Sequence, residues 1–162
     1  MAITGALWIA VAAVGLAQPQ YWAPAAAIDY AAMALFSAAM LGLGISVWLL
    51  PTGGAARTAA RVVVAAAVTN GIANLLEDGV GLKEFGGLWV VSILTLYVAL
   101  IALALLSFRA GRRAHAAVAA LSLVGLVFIT MGGTALTGAT WVLFALGWPL
   151  ALWTDRARAD AR

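Results

Sequence analysis

The chain has no cysteine and one histidine, His115, and only 9% of its residues are charged. The missing thiols exclude disulfides, thiol nucleophiles, iron–sulfur clusters and cysteine-type zinc sites. One histidine cannot build a His-rich metal site or supply both axial ligands of a haem. No cofactor is expected. The scarcity of charge argues against a soluble domain, in which about 25% of residues are charged.

Apolar residues fill the gap. They make up 65% of the 162 positions, and the mean hydropathy is +1.07. Apolar runs near the length of a membrane-crossing helix, about 20 residues, recur along the chain. They cover residues 3–17, 25–50, 58–76, 88–108, 114–130 and 135–153, and a polar tail follows over residues 155–162. The breaks between them include "QPQYWAP", "PTGG", "EDGVGLKEFGG" and "MGGT". The expected fold class is all-α. It is a polytopic integral membrane helix bundle of six transmembrane helices, forming a single unit over residues 1–154. A five-helix form results if the first segment only lies at the interface. "GLA" before Gln18 has the small residues of a signal-peptide cleavage site, but no Lys or Arg precedes it, so the segment is read as retained.

Charge placement sets the orientation. In a six-span topology Arg57, Arg61, Arg109, Arg112, Arg113, Arg156, Arg158 and Arg162 fall on one side, and Lys83 alone on the other. Positive residues stay cytoplasmic, so both termini are expected inside. The expected localisation is the cell membrane, multi-pass, with the lipid bilayer as first partner. Tyr21, Trp22, Trp89 and Trp141 fall near the outer ends, and Trp48 and Trp153 near the inner ends, as two aromatic belts require. Trp8 and Trp148 lie deeper, and Pro149 is expected to kink the last segment. The tail "TDRARADAR" carries two acids and is too short for a nucleic-acid arm, so no nucleic-acid partner is expected. "AARTAARVVV" and "AGRRAHAAVA" open the second and third helical hairpins alike. Alanine-rich helices produce such matches by composition, so a tandem repeat carries little weight.

The densest polarity sits in "VTNGIANLLEDGVGLKEFGG", residues 68–87. On a helix of 100° per residue, Asn74 lies about 40° from Asn70, Glu77 about 20° the other way and Asp78 about 80° away. The four share one face over about 12 Å of helix axis. Towards the inner side that face continues as Ala67, Ala66 and Val63, so the polarity stops part-way. Asp29 and Tyr30 near the outer end of the second helix, and Tyr97 in the outer half of the fourth, could face the same place. Ser92, Thr95, Thr130, Thr134 and Thr137 also gather towards that end.

A carboxylate in low dielectric pairs, protonates or binds a cation. An asparagine coordinates through its carbonyl or donates through its amide. The candidate ligand-binding residues are therefore Asn70, Asn74, Glu77, Asp78, Asp29, Tyr30 and Tyr97, around a pocket open to the outside. The plainer reading makes the asparagines interhelical glue. Glu77 and Asp78 then become interfacial end residues, and Asp29 a helix-dipole acid behind Pro24. "DGVGLKE" lacks the alternating acids of a calcium loop, and "GVGLKEFGG" lacks dinucleotide spacing. His115, beside Arg112 and Arg113, reads as an interfacial residue across the membrane from the acids. Attraction of anionic lipid is an expected by-product of that arginine cluster. Small residues such as Ala67 and Gly71 at four-residue spacing allow close helix contact.

Three function classes fit. The favoured one is a small multi-pass membrane protein with an outward-facing polar and acidic pocket, binding or transporting a small molecule or cation. A membrane-embedded carboxylate acid/base enzyme of isomerase or cyclase type, with Asp29 and Glu77 as its pair, is the first alternative. A non-catalytic subunit of a membrane complex is the second. A homo-oligomer is compatible with all three.

Overall fold

The structure, a computed structural model, describes residues 1–17, 27–128 and 133–160, with side chains for 1–14, 29–128 and 133–147. Six helices appear in order: α1 (Ala2–Ala17), α2 (Ala27–Trp48), α3 (Gly54–Asn74), α4 (Gly86–Arg109), α5 (Arg113–Val127) and α6 (Gly133–Asp160). No strand occurs among the described residues. A π-helical turn, Leu75–Gly79, extends α3, and a short 3-10 turn, Lys83–Phe85, leads into α4. The stretches Asp29–Trp48, Gly54–Gly79 and Lys83–Arg109 are long and apolar enough to cross a membrane, and Ala2–Val14, Arg113–Val127 and Gly133–Gly147 are shorter apolar stretches.

Within the described residues the helices follow the hydropathy, with small adjustments. α3 begins at Gly54, four residues before the expected start at Thr58, because alanine is the best helix former and "GAARTAAR" has no breaker after Gly54. α6 runs through Pro149 to Asp160, so the start of the expected polar tail extends a helix. The expected ends at residues 25 and 130, and the aromatics Tyr21 and Trp22, lie outside the described residues, as does Thr130.

Each helix packs against its neighbours in sequence, and α6 returns to α1, which closes a ring. The helices are apolar almost all round, and buried side chains from all six join in one cluster that fills the ring. Trp8, Met40, Leu43, Val63, Leu96, Leu100, Leu103, Leu126 and Trp141 are all essentially inaccessible. The α1–α6 closure rests on glycine. An ideal Cβ on Gly5 would lie 2.7 Å from the Gly138 carbonyl oxygen, and one on Gly138 would lie 2.7 Å from that of Gly5. Only hydrogen at these two positions lets the backbones meet. The motif is repeated, since Gly5 and Trp8 recur as Gly138 and Trp141 within "GALW" and "GATW".

Trp141 departs from expectation. It is buried in the core and not part of an aromatic belt, with its indole N–H donating to Ser122 Oγ at 3.0 Å. Its ring stands edge-on to Phe144. Trp48 is 63% exposed near the arginine-bearing end of the bundle.

Candidate functional site

The polar residues of the ring sit in the seams between helices. At the α1–α2 seam, Thr4 Oγ1 donates to the Gly42 carbonyl at 2.9 Å and shares a 2.7 Å hydrogen bond with Ser46 Oγ. At α2–α3, Asn74 Nδ2 donates to Ser37 Oγ at 3.0 Å and to the Met33 carbonyl at 3.3 Å. At α3–α4, Asn70 Nδ2 donates to Ser92 Oγ at 3.0 Å and to the Trp89 carbonyl at 3.1 Å. Ser92 Oγ itself donates to that carbonyl at 2.8 Å, which closes a triangle. Tyr97 joins α4 to α5 through Leu126 O at 3.3 Å, and Trp141 joins α6 to α5. Five of the six seams therefore carry a side-chain clamp, and the sixth is the glycine crossing.

This arrangement divides the face drawn on the helical wheel. Asn70 and Asn74 are both buried, but α3 is held between α2 and α4, and the two amides turn to different partners. Forty degrees is enough to separate them, because the boundary between the two neighbouring helices falls between their directions. Asp29 lies one turn before Met33 on α2 and is buried, on the Asn74 side. Tyr97 belongs to a different seam, and Tyr30 is 48% exposed. The seven candidates are thus spread over several seams. Sequence reasoning missed Ser37; Asp29, Met33 and Ser37 at spacing four mark the α2 face that receives Asn74.

Glu77 and Asp78 ride on the π-helical turn, where the Val80 N–H reaches the Leu75 carbonyl at 3.0 Å. Such turns occur often at functional sites. Asp78 makes an exposed ion pair with Lys83 at 3.4 Å. Glu77 is half-buried and has no ion-pair partner among the described residues. Its carboxylate lies over the start of α4, with Oε1 2.6 Å from where a Cβ on Gly86 would be. Glycine at 86 makes room for the carboxylate, and the positive end of the α4 dipole favours it there. No group of three or more His, Asp or Glu side chains that could hold a metal ion occurs among the described residues.

No family model matches this chain, and no curated protein or solved structure matches it. The functional reading therefore stands on geometry alone.

At the opposite end of the bundle His115 is buried, with its ring 5.9 Å from that of Phe144. On the outer surface a groove of about 380 Å³ runs between α3 and α4, from Thr58 and Arg61 past Ala65 and Ala66 to Val91 and Thr95. None of the seven candidates lines it.

Proposed function

We propose that this chain is a multi-pass membrane protein that binds a small cationic molecule at its acidic end, with Glu77 as the recognising carboxylate. The observation that carries the reading is the half-buried Glu77 carboxylate, seated over Gly86 on a π-helical turn and lacking an ion-pair partner among the described residues. The asparagines serve as clamps that hold α2, α3 and α4 in register around it. A lone carboxylate suits an organic ammonium better than a multiply coordinated metal ion. The filled centre of the ring favours binding over conduction through one chain.

The test is thermal unfolding of the detergent-solubilised protein against a panel of organic ammonium and alkali cations. The melting temperature of the wild type should rise saturably with at least one of them. Glu77→Gln should abolish that rise. Gly86→Ala should also abolish it, because the new methyl displaces the carboxylate, while costing little stability. A wild type indifferent to every cation, or a Glu77→Gln protein that responds like the wild type, would overturn the reading.

A further inference from the structure

We infer that the α3–α4 groove is a binding site for one anionic phospholipid, with its headgroup phosphate on Arg61 and an acyl chain along the groove. This rests on the membrane reading above but is independent of Glu77.

Arg61 lies on the outer surface of α3, seven residues after its first residue Gly54, about 10 Å along the axis. It is exposed and has no ion-pair partner among the described residues. In a bilayer that depth is close to the hydrocarbon boundary, where an uncompensated guanidinium is costly. Arg57, one turn earlier, is exposed on the same side, and the exposed Thr58 hydroxyl lines the groove beside Arg61. Two guanidiniums and a hydroxyl within one turn can hold the oxygens of a phosphodiester, which guanidinium geometry favours. All three stand at the arginine-bearing end, the side on which anionic lipids concentrate if the arginines are cytoplasmic.

Beyond the arginine the groove turns apolar. Ala65 and Ala66 form its floor because their side chains end at Cβ. Three hydroxyls line the groove further along, those of Thr69, Ser92 and Thr95, and two of them are spent on backbone carbonyls. Thr95 Oγ1 donates to the Val91 carbonyl at 2.8 Å, and Ser92 Oγ donates to Trp89 O. Val62, Ala65, Ala66, Leu88 and Val91 make up most of the remaining lining, which suits a chain better than a polar solute. A second copy fits poorly, because two copies inserted in one orientation about a two-fold axis along the membrane normal would set Arg61 against Arg61.

The test is purification in mild detergent followed by native mass spectrometry and lipid extraction, with add-back of phosphatidylglycerol or phosphatidylcholine in mixed micelles. The wild type should retain one anionic lipid and bind phosphatidylglycerol at least tenfold more tightly than phosphatidylcholine, while inorganic phosphate leaves it unchanged. Arg61→Gln should lose that preference. Ala65→Trp, at an exposed position, should block the groove and lose the bound lipid while the bundle stays folded. Equal retention of both lipids, or unchanged binding in both variants, would overturn the headgroup assignment and leave the membrane reading intact. A dimer that Ala65→Trp dissociates would show that a second copy occupies the groove and would overturn the proposal.

Discussion

Asn70 and Asn74 are the same residue type, one turn apart on one helix, yet they should respond differently to substitution. Each amide N–H₂ bridges to a neighbouring helix, a contribution of about 1 kcal/mol in a membrane bundle. Asn70 also buries a side-chain oxygen, Oδ1, that has no hydrogen-bond partner. A buried acceptor without a partner carries a desolvation penalty of about 1–3 kcal/mol. Replacing Asn70 with Leu removes that penalty together with the clamp. Ser92 loses the Asn70 donor but stays hydrogen-bonded, since its hydroxyl still donates to Trp89 O. Asn74→Leu removes a clamp without such relief. Reversible unfolding in detergent should therefore show Asn74→Leu destabilised by about 1 kcal/mol and Asn70→Leu by clearly less. The opposite order would mean that the Asn70 oxygen is satisfied in the folded protein.

Among elements, the α1–α6 pair carries a strict requirement, as does the approach of α5 to α6 at Gly125 and Gly133. Its crossing is nearly symmetric: Gly5 meets Gly138, Gly5 also meets Val142, and Gly138 also meets Ile9. A side chain at either glycine must push backbone and not a flexible tip. Gly138→Leu should cost at least the ~1–3 kcal/mol of an overpacked core and loosen the end of the ring where α6 meets α1. Limited proteolysis should then cut within or beside α1 faster than in the wild type, and Gly147→Leu, where an added Cβ meets nothing within 4 Å, should behave as the wild type. The π-helical turn is the second special element. It widens the end of α3 where a regular helix would continue, and it still delivers Glu77 to the α4 side, close to the direction the wheel expected.

On the scale of the molecule, the ring places the connection after α4 and the connection after α3 at opposite ends. The absence of native cysteine makes this easy to examine. Single cysteines at Lys83 and Ala110, both exposed, should react oppositely with a membrane-impermeant maleimide. In intact cells Lys83→Cys should label and Ala110→Cys should label only after permeabilisation. Labelling of both from outside would refute the six-span orientation.

Helix number, and most helix ends to within a few residues, were legible from apolar run length and breakers, because a 1.5 Å rise per residue ties length to span; the end of α6 was not, since the helix runs on to Asp160. The placement of Asn70, Asn74, Glu77 and Asp78 at one end of α3 was legible as well, since it needs only order along the chain, whereas the Thr4–Ser46 clamp and buried Ser107 towards the other end were not. Direction around each helix was not. These helices are apolar on nearly every face, so periodicity gives no signal for which side meets which neighbour. That is why Trp141 reads as a belt residue and is instead a core residue bonded to Ser122, and why Asn70 and Asn74 read as one face but serve two seams. Composition and run length by themselves determined an all-helical chain of apolar runs, with Asp29, Glu77, Asp78 and Glu84 in or beside the breaks opposite those that carry the arginines. Only the tertiary structure decided the closed ring and its clamps, and left Glu77 and Arg61 without ion-pair partners among the described residues. Both depend on which helix lies beside which, and in a uniformly apolar chain that is set by close packing at glycines and by a few hydrogen bonds.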